Sequence, residues 1–202
     1  MANNYKEAYL DLLSRIKRPG IEELKAWLEN SDFFISPAST KYHGCYDGGL
    51  VEHCLNVYQA LTYLHGNLVE GITEFNLPEI SEESILIVAL LHDVCKINTY
   101  VPDTKNVKNA KGVWEQVPIY TRKPLLPMGH GGKSLFIIQQ FMTLTRDEAL
   151  AIYWHMGAYD ISNYSNWDEI GLAYNDSLLA FLLHQADMMS TYIMENKLYA
   201  FE

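Results

Sequence analysis

Apolar positions recur at helical spacing along most of this chain. Over residues 3–17, Tyr5, Tyr9, Leu12, Leu13 and Ile16 fall at i, i+4, i+7, i+8 and i+11, and Pro19-Gly20 ends the run. A short second helix is predicted over 21–28. A third, over about 50–67, follows the turn-rich stretch SDFFISPASTKYHGCYDGG. A fourth begins near Ser81, with Glu82 and Glu83 set against the positive end of its dipole. It carries the run SILIVALLHDVCKI, Ser84 to Ile97.

Helical spacing returns over 133–142. The capping-box spacing of Thr145 and Glu148 opens a helix that leads to His155. After a Tyr/Asn/Gly-rich loop, a last helix is predicted over 177–195. The stretch NTYVPDTKNVKNAKGVWEQVPIY breaks this regime, with short β-type runs around the tip Asn109-Ala110-Lys111-Gly112. It predicts a small β-hairpin or ordered loop within 98–120. The expected architecture is therefore all-α, a bundle of about seven helices with one inserted β-hairpin, in a single domain over 1–202.

The run Ile85–Leu91 is ordinary core material, but His92, Asp93 and Lys96 directly after it are not. Similar settings recur: His53 in GGLVEHCLNV, His130 in PMGHGGKS, His155 in AIYWHMGAYD and Asp187 in LLHQADMM, each flanked by apolar residues. A carboxylate on the apolar side of a helix is costly unless it is paired or bound to a cation. One histidine of this kind is usually a satisfied core residue; four, with two such carboxylates, point to a shared ligand set. Imidazole and carboxylate together suit first-row metals, and without thiolates they do not form a structural zinc pattern.

Composition narrows the setting. The apolar runs are far too short to span a bilayer, and MANNYKEAYLDLL shows no basic region followed by an apolar core, so a cytoplasmic protein is expected. Cys45, Cys54 and Cys95 form no CxxC pair and read as reduced thiols that pack. With 15 Lys and Arg against 25 Asp and Glu, the net charge of −10 disfavours tight duplex nucleic-acid binding. It does not disfavour a small phosphorylated substrate held at a metal, which supplies its own positive field.

In this order, GGLVEHCLNV, ALLHDVCKI, AIYWHMG and LLHQAD resemble the HD-domain superfamily of metal-dependent phosphohydrolases, over roughly residues 43–190. The resemblance implies two metals. His53, His92, Asp93 and Asp187 would hold the first, and His130 and His155 the second, with Asp93 bridging. The metals implied are manganese, iron, cobalt, nickel or zinc, with magnesium a further candidate. A metal-bridged hydroxide would then cleave a phosphoester, with Asp93 and Lys96 as catalytic residues.

Lys96, His43, Lys133 and Arg122 are the expected substrate contacts, with Lys123 and Asp160 as weaker candidates. Where related chains often carry glycine before the lysine, this one has Cys95, expected to narrow the pocket and leave the ligand set untouched. The segment before Gly132-Lys133-Ser134 lacks a Walker glycine, since Pro127 stands at that position, so no P-loop is read there. Its glycines are expected to bring His130 close to the metals. His65 reads as a surface residue, and His184 lies one turn before Asp187 on the same face.

The expected activity is a phosphohydrolase or phosphodiesterase acting on a small nucleotide-like substrate. The chain has no room for a separate nucleic-acid-binding domain, and a homo-oligomer is left open. The alternative is a mixed-valent di-iron oxygenase on the same six ligands, and a third is a regulatory domain that keeps the metals without turnover.

Overall fold

The computed structural model describes residues 2–123, 126–160, 167–196 and 198–199. They form eight α-helices and one two-stranded antiparallel sheet, which meets the expectation of a helical bundle with an inserted hairpin. α1 (Ala2–Leu13) buries Tyr9 and Leu13, and the Tyr9 hydroxyl donates to the Leu90 carbonyl at 2.8 Å. α2 (Ile21–Glu29) buries Ile21, Leu24 and Leu28.

α3 (Gly49–Gly71) needs both glycines at its start. Gly48 caps it at φ +83°, and a Cβ on Gly49 would meet the Gly44 carbonyl oxygen at 2.0 Å. α4 (Glu82–Leu91) is capped by Ser81, whose hydroxyl accepts the Ser84 N–H at 3.0 Å. All of Ile85–Leu91 is buried, so α4 is apolar all round and sits among α1, α3, α6 and α8.

α5 (His130–Ile138) lies on α6 (Arg146–Trp154), whose Thr145–Glu148 capping box is formed as expected. α7 (Trp167–Asp176) leads through the Ser177 cap into α8 (Leu178–Met189), which runs on as a π-helical turn, Ser190–Met194. α8 packs on α3 and α6, and this three-helix contact with α4 frames the ligand residues. Among the described residues, no helix is long and apolar enough to cross a membrane.

β1 (Tyr100–Lys108) and β2 (Trp114–Arg122) pair from Tyr100↔Arg122 to Lys108↔Trp114. The Asn109 side-chain oxygen ties the tip by accepting the Lys111 and Val113 N–H groups, each at 3.0 Å. At the base, Tyr100 donates to the Ala38 carbonyl and Tyr120 to the Asp47 carboxylate, so the strand ends nearest the body are fixed to the loop before α3.

Four expectations change. The fourth helix ends at Leu91 rather than Ile97: Asp93 leaves α geometry (φ −108°, ψ 14°) and a 3-10 turn, Val94–Lys96, follows. The fifth helix starts at His130 rather than 133. The segment 167–176, expected as loop, is a helix; its Tyr, Asn and Gly content lowers helix propensity, but tertiary contact with α8 and α6 overrides it. Regular α geometry in the last helix stops at Met189.

Candidate metal centre

Five elements deliver the six expected ligands to one place. His53 comes from the second turn of α3, and His92 and Asp93 from the break after α4. His130 is the first residue of α5, His155 the cap ending α6, and Asp187 lies on α8. His53, His92, Asp93 and His155 are each at most 2% exposed, and Asp187 is 9% exposed. Ligand atoms of His53, His92 and Asp187 lie within 4.8 Å of one another, as do those of His92, Asp93 and His155.

The imidazoles are aimed from behind. His92 Nδ1 donates to the Ala89 carbonyl at 2.9 Å and His155 Nδ1 to the Ile152 carbonyl at 2.6 Å. Each ring therefore turns its Nε2 inward, and His155 Nε2 is buried without a hydrogen-bond partner. His53 Nδ1 lies 2.9 Å from Glu195 Oε1, and its Nε2 lies 3.4 Å from His92 Nε2 and 3.2 Å from Asp187 Oδ1. Ligand atoms about 2.1 Å from one cation stand about 3.0–3.4 Å apart in octahedral or tetrahedral geometry, so this spacing fits a metal.

Asp93 divides its carboxylate between two groups. Oδ2 lies 3.6 Å from His53 Nε2 and 3.5 Å from His92 Nε2, whereas Oδ1 lies 2.8 Å from His130 Nε2 and 3.7 Å from His155 Nε2. Lys96 Nζ sits 2.5 Å from Oδ2. With the imidazoles neutral, three carboxylates (Asp93, Asp187, Glu195) against one ammonium (Lys96) leave two net negative charges in the cluster.

The protonation equilibria show the same pull toward positive charge. Burial would lower His53, but the Asp187 and Glu195 carboxylates raise it to about 10. Burial likewise opposes protonation of His130, yet Cys95 and Asp93 lift it to about 10. Burial would raise Asp93 and Asp187; Lys96 and the imidazoles hold Asp93 well below the usual carboxylate range, and His53 does so for Asp187. His92 is pushed down to about 3, first by burial, and so stays a neutral donor of its Nε2 lone pair. Lys96 is held charged by Asp93 against its burial.

The centre opens into a cavity of about 740 Å³. Lys96, Lys133, Arg122 and His43 all line it, as do Asp160 and His184; Lys123 does not. Lys133 is 7% exposed, bonds Thr99 Oγ1 at 3.1 Å, and is held below the usual lysine value by burial. Among the described residues, no carboxylate pairs with Lys133 or Arg122. The His43 ring lies 4.9 Å from that of His53, tilted against it, with neither ring nitrogen hydrogen-bonded, and burial pushes it down to about 4.

Gly131 lets α5 close on α6, since a Cβ there would meet the Tyr153 carbonyl oxygen at 2.0 Å, and so sets where His130 stands. Its N–H is taken by the Asp160 carboxylate at 3.1 Å, which removes that donor from anion binding. His184 is tied in through the His155 carbonyl at 2.7 Å.

Sequence reasoning missed Glu195. Its Oε1 also accepts from Ser190 Oγ at 2.6 Å and from Asn56 Nδ2 at 3.1 Å. The i, i+8 spacing from Asp187 is its only trace in the sequence, and the π-helical turn between them obscures it. Cys95, expected only to narrow the pocket, brings its Sγ within 4.8 Å of ligand atoms of Asp93 and His130. Comparisons with family models, curated proteins and solved structures found no match.

Proposed function

We propose that this chain is an HD-type metal-dependent phosphohydrolase that cleaves a phosphoester of a nucleotide-like substrate. The observation that carries the proposal is the divided Asp93 carboxylate, one oxygen toward His53 and His92 and the other toward His130 and His155. His53, His92, Asp93 and Asp187 would hold one divalent cation, and Asp93, His130 and His155 a second. Such a pair supplies Lewis acidity toward a phosphoryl oxygen and lowers the pKa of coordinated water.

The chain's own groups supply the rest. Lys133 and Arg122 face the cavity without a carboxylate partner among the described residues, so a phosphate would complete their charge balance. Lys96 keeps its ammonium beside Asp93 and faces the same space, where it can meet an anionic oxygen of the substrate. His43, neutral and without a partner at either ring nitrogen, can donate to or accept from a substrate oxygen. Tyr42, Tyr159 and Tyr192 line the cavity and are each more than half exposed, which offers flat apolar surface to a nucleobase.

Metal analysis of freshly purified protein, followed by an anaerobic screen of nucleotides and phosphodiesters with the metals found and with Mn²⁺, tests this. Phosphoester cleavage without O₂ is expected, with Lys96→Ala keeping its metal and losing turnover. Strict dependence on iron and O₂ would favour the oxygenase alternative and overturn the proposal, as would absence of phosphoester turnover with every metal tried.

A further inference from the structure

We propose that the Cys95 thiolate is a ligand of the cation that Asp93 Oδ1, His130 and His155 would hold. This rests on the metal-centre reading above and adds a soft, anionic donor that the six-residue set lacks.

The placement follows from the break in the chain after α4. On an uninterrupted helix, residues two apart point to nearly opposite sides, so Asp93 and Cys95 could not share a ligand site. The chain leaves α geometry at Asp93, and the 3-10 turn Val94–Lys96 brings both side chains to His130. The Cys95 N–H is fixed by Ser134 Oγ at 3.2 Å, which ties this turn to the first turns of α5, where His130 sits. Cys95 is 3% exposed and lines the cavity, so it is neither a surface thiol nor one lost in the apolar core, as Cys54 is.

A second observation marks the same spot as one that wants a cation. His155 Nε2 is fully buried, is not hydrogen-bonded, and faces Asp93 Oδ1 at 3.7 Å. His130 approaches the same oxygen at 2.8 Å. Asp93, Cys95 and His130 bring one carboxylate oxygen, one sulfur and one imidazole nitrogen within 4.8 Å of one another, and His155 Nε2 lies 3.7 Å from Asp93 Oδ1. A tetrahedral cation takes that set readily. On binding, the sulfur–hydrogen bond breaks, its proton leaves to solvent, and a sulfur–metal bond forms from the electron pair left on sulfur. A thiolate favours zinc, cobalt or iron over magnesium and manganese, so the second site would be selective where the first, with only nitrogen and oxygen donors, is permissive.

Cobalt(II) titration of the full chain, followed by electronic absorption, tests the inference through a readout independent of turnover. The expected spectrum combines visible ligand-field bands with a near-ultraviolet sulfur-to-cobalt charge-transfer band. In Cys95→Ser the charge-transfer band disappears while ligand-field bands from the remaining donors persist. The variant's affinity for the second cobalt falls at least about tenfold, the scale of losing even a hydrogen-bond partner of a ligand. Circular dichroism checks that the variant is folded, and the wild-type spectrum stands whether or not it is. Cobalt binding without a charge-transfer band in the wild type overturns the role of Cys95 and leaves the metal centre standing. So does a band that survives Cys95→Ser. No cobalt uptake at all overturns both.

Discussion

Glu195 holds His53 from behind, with Oε1 2.9 Å from His53 Nδ1 and Ser190 and Asn56 bonded to the same oxygen. The contact fixes both the tautomer and the angle of a ring whose Nε2 faces Asp187. Burial would raise the Glu195 pKa, but His53 and the neighbouring donors lower it to about 2, so it stays an anion throughout the neutral range. Glu195→Ala is expected to keep the fold and weaken metal binding at the His53 site by about 10–100-fold, the range for partners of metal-bound histidines. Glu195→Gln, which keeps an acceptor for the Nδ1 proton, loses less. Calorimetric titration with Mn²⁺ or Zn²⁺ checks both, and wild-type affinity in Glu195→Ala would reduce the residue to packing.

Asp93 reaches both ligand groups, Asp187 lies with His53 and His92, and His155 lies 3.7 Å from Asp93 Oδ1, the oxygen turned toward His130. Asp93→Ala should therefore lose both metals, Asp187→Ala the one at His53, and His155→Ala the one at His130. Asp93→Ala also strands the Lys96 ammonium, 2.5 Å from the missing carboxylate, so its baseline stability falls too. The useful readout is the increment on adding metal. Wild-type protein should gain about 2.7 kcal/mol for each site filled at a hundredfold excess of metal over Kd, and Asp93→Ala almost nothing. Equal gains in the two proteins would sink the bridging role.

Much of the site was legible because each ligand sits in an apolar segment, where an ionisable side chain is anomalous. His53, His92, Asp93, His130, His155 and Asp187 were each visible that way, and the structure brings them together. Glu195 and Cys95 were not legible, for a common reason. Both depend on places where the chain leaves α geometry, the 3-10 turn after Asp93 and the π-helical turn after Met189. Periodicity assumes a constant rotation per residue, so it loses track of facing where that rotation changes. The helix over 167–176 was hidden for another reason: its Asn, Asp, Tyr and Gly composition suits a loop, and its neighbours decide otherwise. The hairpin's strands were read from short β-type runs around a polar tip, but their fixing by Tyr100 and Tyr120 to the loop before α3 is a tertiary fact.

Gly131 is predicted to be intolerant of even one methyl group. The added Cβ would lie 2.0 Å from the Tyr153 carbonyl oxygen and 2.7 Å from that of Ile152, both backbone atoms of α6 that cannot swing aside. Gly131→Ala must push α5 off α6, at a cost of about 1–3 kcal/mol by comparison with other overpacked sites. Because His130 opens α5, the shift also moves it from Asp93 Oδ1, and metal is lost at the His130 site while the His53 site is kept. Urea unfolding and metal stoichiometry measure the two effects. Unchanged values for both would mean that the helices part without strain.

Outside the cavity lining, Glu148 ties three segments together, and its stability contribution should carry a pH signature. Its carboxylate is buried and receives Arg18 at 2.5 and 3.0 Å, Ser84 Oγ at 2.8 Å and the Thr145 N–H at 2.8 Å. Burial raises its pKa, but the Arg18 ion pair and the Thr145 and Ser84 hydrogen bonds outweigh it and leave the group below its ordinary 4.5. A carboxyl whose folded pKa is depressed binds its proton more readily in the unfolded chain. Its contribution is therefore full above about 4.5 and is lost as pH falls through the lower folded value. Glu148→Gln should cost about 3 kcal/mol at pH 7, near the low end for breaking a buried pair because Arg18 retains Glu83 at 3.1 Å. The gap between wild type and variant should narrow steadily as unfolding is followed from pH 5 down to pH 3. A gap that stays constant across that window would show that Glu148 acts through its shape and hydrogen bonds, and not through its charge.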